Sequence, residues 1–230
     1  MKTEKLMIGS IPALLWGEDS DRLYIYVHGK MSRKEHAEGF ARIAQEKGYQ
    51  TLSFDLPEHG ERANSRERCD VWNGIRDLAL AADHAQRRCR ELSLYACSLG
   101  AYFALSAYTE KKLAKCLFKS PIVDMEWLVR HMMLSGGISE ERLEKEKEIP
   151  APIDTLRWDY YRYIISHPVT AWPHDTRILY AGLDDLQPES VIRTFAERFG
   201  ARVTVSSESR HPFMEEADRP IVEKWLRENL

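Results

Sequence analysis

Six short apolar runs recur along the chain, each rich in β-branched or aromatic residues and each bounded by turn-forming residues. Runs of this length and composition predict buried β-strands. An earlier segment, from Lys5 to Leu15, predicts a hairpin at one edge of the same sheet. The six runs begin at Arg22, Tyr49, Glu91, Lys115, Thr176 and Ala201.

Segments whose apolar residues recur at helical spacing lie between these runs. They cover residues 32–47, 70–90, 99–108, 188–199 and 213–229. The fourth opens with Pro188 and an acidic residue and closes before Gly200, which matches the usual signals for the start and end of a helix. The alternation of strands and helices predicts an α/β fold with a mainly parallel central sheet and helices on both faces.

One region, from Met125 to Trp172, interrupts the alternation because it carries no strand pattern. Its charged stretch from Glu140 to Glu148 has spaced opposite charges, which are typical of a solvated helix. An aromatic segment around Trp158 follows this stretch. The sequence therefore predicts a helical insertion at 125–172 within a core formed by 1–124 and 173–230.

Composition narrows the class of protein. A length of 230 residues suits one large domain with an insertion, and a net charge of −3 gives no field that attracts nucleic acid or an anionic membrane. The four cysteines form no CxxC pair, as is typical of free thiols in a reducing compartment. We recognise no signal peptide and no membrane-spanning run, so we expect a cytoplasmic protein without nucleic-acid or membrane partners. The sequence carries no signal for the oligomeric state.

Reactive side chains follow several of the predicted strands. Ligands bind beyond the carboxyl ends of the strands in open parallel sheets, so these side chains are expected at one rim. A serine there becomes a nucleophile when a base takes its proton and a third group orients that base. The candidates are His28, Asp55, His59, Ser98, Asp124, Asp184, Asp185 and His211.

Ser98 lies where a predicted strand passes directly into a predicted helix. The first N–H groups of a helix have no internal partner, so the Leu99 N–H is placed to bind an oxyanion. Ala96 and Gly100 flank the serine at two residues on either side, and small side chains there relieve crowding in a sharp turn. Cys97 is the alternative nucleophile, and we interpret it as a packing residue.

The chain resembles the α/β-hydrolases over nearly its whole length. "ACSLG" at 96–100 is similar to the G-x-S-x-G nucleophile elbow, with Ala96 in place of the first glycine. Four other segments also resemble the family. "VHG" resembles its His-Gly turn, "FDLPEHGER" its Asp-x-Pro-Gly-His-Gly segment, "YAGLDDLQP" its acid loop and "SRHPF" its histidine loop.

The resemblance implies a role for each matching residue. Ser98 would be the nucleophile, Asp185 the acid and His211 the base, in the family's chain order. The Lys30 N–H would join that of Leu99 in the oxyanion hole, and the insertion would be a helical cap covering the acyl site. Asp184 and Asp124 remain alternatives for the acid. His28 and His59 resemble structural turn histidines of the family.

These expectations combine into a serine hydrolase that cleaves a small ester, in the manner of a carboxylesterase, through a Ser-His-Asp triad. The alternatives are a thioesterase or a small amidase or peptidase with the same triad, and a non-catalytic ligand-binding protein of the same fold. The expected partner is a small-molecule ester or thioester. No metal or organic cofactor is predicted, because the chain has no phosphate loop, dinucleotide glycine pattern or clustered metal ligands.

Overall fold

Strands form at each of the six apolar runs and at the predicted edge hairpin. The computed structural model describes all 230 residues. Its strands are β1 (Thr3–Ile8), β2 (Ile11–Trp16), β3 (Arg22–Val27), β4 (Gln50–Phe54), β5 (Glu91–Cys97), β6 (Cys116–Lys119), β7 (Glu148–Pro150), β8 (Thr155–Arg157), β9 (Thr176–Ala181) and β10 (Arg202–Ser206). Its helices are α1 (Glu38–Glu46), α2 (Val71–Gln86), α3 (Leu99–Ala107), α4 (Met125–Ser135), α5 (Glu140–Glu146), α6 (Trp158–Ser166), α7 (Glu189–Phe199) and α8 (Asp218–Asn229).

Eight strands form the central sheet, in the order β1-β2-β4-β3-β5-β6-β9-β10. Only the pairs β1–β2 and β2–β4 are antiparallel, which confirms the edge hairpin and the mainly parallel sheet. β5 lies near the middle, between β3 and β6, so the residue that follows it emerges at the centre of the carboxyl-end rim. β9 and β10 lie next along the sheet.

Both faces of the central strands are covered, which explains why these strands are continuous apolar runs. One face packs against α1 and α8, where Phe40 and Trp225 join Tyr24 and Tyr95 in a single buried cluster. The residues that alternate with these, such as Ile25, point to the other face and are fully buried. Helices α2 and α3 both contact β3.

The chain divides into two compact units, Met1–Val123 with Ala171–Leu230, and Asp124–Thr170. The smaller unit contains α4, α5 and α6, and also a short antiparallel hairpin of β7 and β8. The expectation of no strand between 125 and 172 was therefore wrong. Each strand of the hairpin has three residues and one buried side chain, Ile149 in β7 and Leu156 in β8. A strand of three residues is too short to show a periodic pattern.

The last helix begins at Asp218 rather than at Phe213, because residues before it form a loop in which Phe213 has a φ of 65°. No helix is both long enough and apolar enough to cross a membrane.

Candidate functional site

Ser98 occupies the sharp turn between β5 and α3. Its backbone has a φ of 50° and a ψ of −122°, a conformation that costs a residue with a side chain about 1–3 kcal/mol and persists only when the surroundings hold it. The Ser98 N–H donates to the Lys119 carbonyl at 3.2 Å, and the Ser98 carbonyl accepts from the Ile122 N–H at 3.2 Å. The neighbouring strand and the loop after it thus hold the strained turn on both sides.

Glycines allow the loop after β3 to approach this turn. A Cβ added at Gly100 would lie 2.4 Å from the His28 carbonyl oxygen, and one added at Gly29 would lie 3.0 Å from the Ser98 Cβ. The loop backbone therefore packs directly against the Ser98 turn. Ala96 is fully buried between its neighbours, so the sheet accommodates the methyl group that departs from the G-x-S-x-G pattern.

We expect Gly100→Ala to lower the free energy of unfolding by roughly 1–3 kcal/mol, because its methyl group overlaps the His28 carbonyl. Gly39→Ala is the matched control, since Gly39 is also helical but its added Cβ would meet nothing within 4 Å. That change should raise stability by about 0.5–1 kcal/mol through helix propensity. Urea unfolding of both variants measures the contrast, and equal effects would refute the close approach.

His211 lies between the serine and an acid. Its Nε2 is 2.8 Å from the Ser98 Oγ, and its Nδ1 is 2.7 Å from the Asp184 Oδ2. The side chains of His211 and Asp184 are only 8% and 3% exposed, so these hydrogen bonds are largely shielded from water. The three side chains form a connected series of the kind that activates a serine hydroxyl.

The acid in this series is Asp184, so the structure corrects the expectation of Asp185. The second Asp184 oxygen, Oδ1, accepts the Leu186 N–H at 2.9 Å, which fixes the carboxylate with its other oxygen toward His211. Asp185 is exposed, and the His211 Nδ1 pairs with Asp184 instead. The other alternative, Asp124, caps α4 by accepting the Trp127 N–H at 2.8 Å.

Backbone contacts join the acid loop to the histidine loop. The Gly182 N–H donates to the Ser206 carbonyl at 2.7 Å, and the Leu183 N–H donates to the Ser209 carbonyl at 3.0 Å. Asp218, at the start of α8, accepts the Ser209 hydroxyl at 2.6 Å. Ser209 and Asp218 are buried supports of the histidine loop that sequence patterns did not indicate, because their contact spans a loop and a helix start.

Cys97 packs in the core, on the strand that leads into the Ser98 turn. It is 6% exposed and belongs to the buried cluster that contains Tyr26 and Tyr95. Burial raises the pKa of its thiol, which disfavours the nucleophilic thiolate. The interpretation of Cys97 as a packing residue therefore agrees with its place in the structure.

The two oxyanion donors expected from the sequence, Leu99 and Lys30, stay predictions. Leu99 is the first residue of α3, so its N–H has no acceptor within the helix. Lys30 follows Gly29, which lies against Ser98. No group of three or more His, Cys, Asp or Glu side chains is arranged to hold a metal ion.

Comparisons with known proteins find the same architecture at low identity. No family model and no curated protein sequence matches the chain. Est1E from Butyrivibrio proteoclasticus, solved with ferulic acid bound, is 16% identical with a TM-score of 0.81 over 98% of this chain and 96% of that one. Mouse alpha/beta hydrolase domain-containing protein 10 is 15% identical with a TM-score of 0.79 over 99% and 98%. A monoacylglycerol lipase from Paleococcus ferrophilus is 14% identical with a TM-score of 0.68 over 96% and 100%.

Proposed function

Because this chain has the α/β-hydrolase fold, as expected from its sequence, we propose that it is a serine hydrolase that cleaves small esters through an acyl-enzyme. The observation that carries the proposal is the series of hydrogen bonds from Ser98 through His211 to Asp184. The strained conformation of Ser98 supports it, since backbone strain of this kind is concentrated at functional sites.

In the proposed mechanism, the Ser98 Oγ attacks the ester carbonyl while the His211 Nε2 takes the hydroxyl proton. Asp184 holds the His211 Nδ1–H and stabilises the positive charge that the ring acquires. The N–H groups of Leu99 and Lys30 bind the oxyanion of the tetrahedral intermediate. The protonated His211 then passes its proton to the departing alcohol, which leaves the acyl group on Ser98. Water deprotonated by His211 hydrolyses this ester in the same way.

An ester is the favoured substrate class for a chemical reason. An alcohol leaves more readily than an amine, so an ester depends less on the proton that His211 passes to the leaving group. The names of two similar structures, one holding ferulic acid and one a monoacylglycerol lipase, agree with carboxylic acid and ester chemistry on this fold. A thioester uses the same steps, with a thiol as the leaving group.

The proposal is tested by labelling the folded protein with a fluorophosphonate probe and mapping the adduct by mass spectrometry. We expect a single adduct on Ser98 and none on Cys97, together with hydrolysis of short-chain p-nitrophenyl esters. Ser98→Ala is the control and should prevent labelling without changing thermal unfolding. Intact protein that neither labels nor hydrolyses esters would favour the ligand-binding alternative over the proposed enzyme.

A further inference from the structure

The loop after β3 carries two consecutive peptide groups that are each held by a histidine. The carbonyl of Gly29 accepts a hydrogen bond from the His28 Nδ1 at 2.7 Å. The N–H of Met31 donates to the His59 Nε2 at 3.0 Å. The first contact holds the peptide that joins Gly29 to Lys30, and the second holds the peptide that joins Lys30 to Met31.

Hydrogen-bond partners determine the protonation state of both rings. The His28 Nε2 accepts the Leu56 N–H at 3.1 Å, so the proton of the neutral ring must lie on Nδ1, where it donates to Gly29. His59 repeats the arrangement, because its Nε2 accepts from Met31 and its Nδ1 donates to the Pro57 carbonyl at 2.8 Å. Protonation of either Nε2 would remove the acceptor.

Burial keeps His28 neutral. The residue is 1% exposed, and burial is the largest cause that lowers its pKa to about 4. The positive charge that His59 would carry also lowers this pKa, whereas the Gly29 carbonyl and the Asp55 carboxylate oppose the shift. At neutral pH the His28 ring therefore keeps one acceptor and one donor.

Because the peptide group is planar, these contacts also fix the direction of the Lys30 N–H. In a trans peptide the N–H points opposite to the C=O of the same unit. A hydrogen bond that captures the Gly29 oxygen consequently sets the direction of the Lys30 N–H. We propose that His28 and His59 are positioning residues that aim the Lys30 N–H at the oxyanion, each acting as a neutral ring protonated on Nδ1. This inference rests on the proposed function, in which that N–H is a donor.

The segment that supplies these contacts is itself held rigidly. Asp55, at the end of β4, is fully buried and accepts the Lys34 N–H at 2.9 Å and the Glu61 N–H at 3.0 Å. Gly60 packs so closely on this carboxylate that an added Cβ would lie 2.2 Å from its Oδ1. The histidines therefore connect the oxyanion loop to an anchored segment, and a donor held in advance is worth most to catalysis.

Nuclear magnetic resonance of the wild-type protein tests the hydrogen-bonding part directly. Imidazole ¹⁵N shifts and couplings, recorded at pH 7 on uniformly labelled protein, should show both His28 and His59 neutral and protonated on Nδ1. A ring protonated on Nε2, or a doubly protonated ring, at either position would overturn the proposal. This measurement needs no variant, so it is independent of any loss of folding.

Two amide variants of His59 test the catalytic part. The Gln oxygen reaches the place of Nε2 and can accept the Met31 N–H, whereas the Asn side chain reaches only the place of Nδ1. We expect His59→Asn to lower kcat roughly 10- to 100-fold with KM nearly unchanged, as for a slightly misplaced donor, and His59→Gln to stay within about threefold of wild type.

Equal activity of the two variants, whether both are impaired or both are normal, would overturn the positioning role. Equal thermal unfolding of the variants establishes that the comparison concerns catalysis. Labelling of Ser98 in the wild type distinguishes a failure of the positioning role from a failure of the proposed function. If the wild type is labelled at Ser98 and hydrolyses the ester but the two variants do not differ, the positioning role alone fails. If the wild type is not labelled, the proposed function itself is refuted.

Discussion

Asp184→Asn is expected to lower kcat by about 10⁴-fold with little change in KM, because an amide at this position favours the wrong tautomer of His211, the proposed base. The Asp184 Oδ2 accepts the His211 Nδ1–H at 2.7 Å, which leaves Nε2 free to take the serine proton. An Asn can turn its NH₂ group toward Nδ1, and the ring proton would then move to Nε2. The proton acceptor for Ser98 would be lost.

Asp185→Asn is the matched control, since it makes the same chemical change one residue later. Asp185 is exposed, so kcat should stay close to that of the wild type. Steady-state hydrolysis of a p-nitrophenyl ester at pH 7 measures both variants, and thermal unfolding checks that each remains folded. A large loss in Asp185→Asn with a near-normal Asp184→Asn would restore the assignment that the sequence alone suggested.

Lys34→Met is expected to lower the free energy of unfolding by roughly 3–5 kcal/mol, because it leaves a fully buried carboxylate without its cation. The Lys34 Nζ lies 2.7 Å from the Asp55 Oδ2, and the two side chains are 2% and 0% exposed. Burial lowers the pKa of Lys34, but hydrogen bonds to three carboxylates outweigh burial and raise it above its ordinary value. The lysine is therefore charged throughout the neutral range.

Lys111→Met provides the comparison on the surface. Lys111 pairs with Asp83 at 2.9 Å, and their side chains are 30% and 54% exposed. Water solvates both partners, so the loss should stay below about 1 kcal/mol. Guanidinium unfolding at pH 7 measures each variant against wild type. Similar small losses in both would show that the buried pair of Lys34 and Asp55 stabilises the fold no more than the surface pair.

The proposed nucleophile could be recognised in the sequence because its signals are local. Ser98 stands where an apolar strand meets a helix, with small residues on either side, and the structure puts it at that turn. His211 was found because it follows the last strand of a parallel sheet, whose carboxyl ends share one rim. The hairpin of β7 and β8 could not be predicted because strands of three residues show no alternating pattern.

The sequence by itself determined the α/β architecture, the order of the chemical candidates along the chain, and Ser98 and His211 as candidate partners. Only the tertiary structure decided between Asp184 and Asp185, since two adjacent aspartates have the same chemistry and differ only in direction. That direction depends on the turn in which the Asp184 N–H donates to the Ala181 carbonyl at 3.0 Å, and on contacts with the histidine loop. Those contacts join residues far apart in the chain, so no local pattern records them.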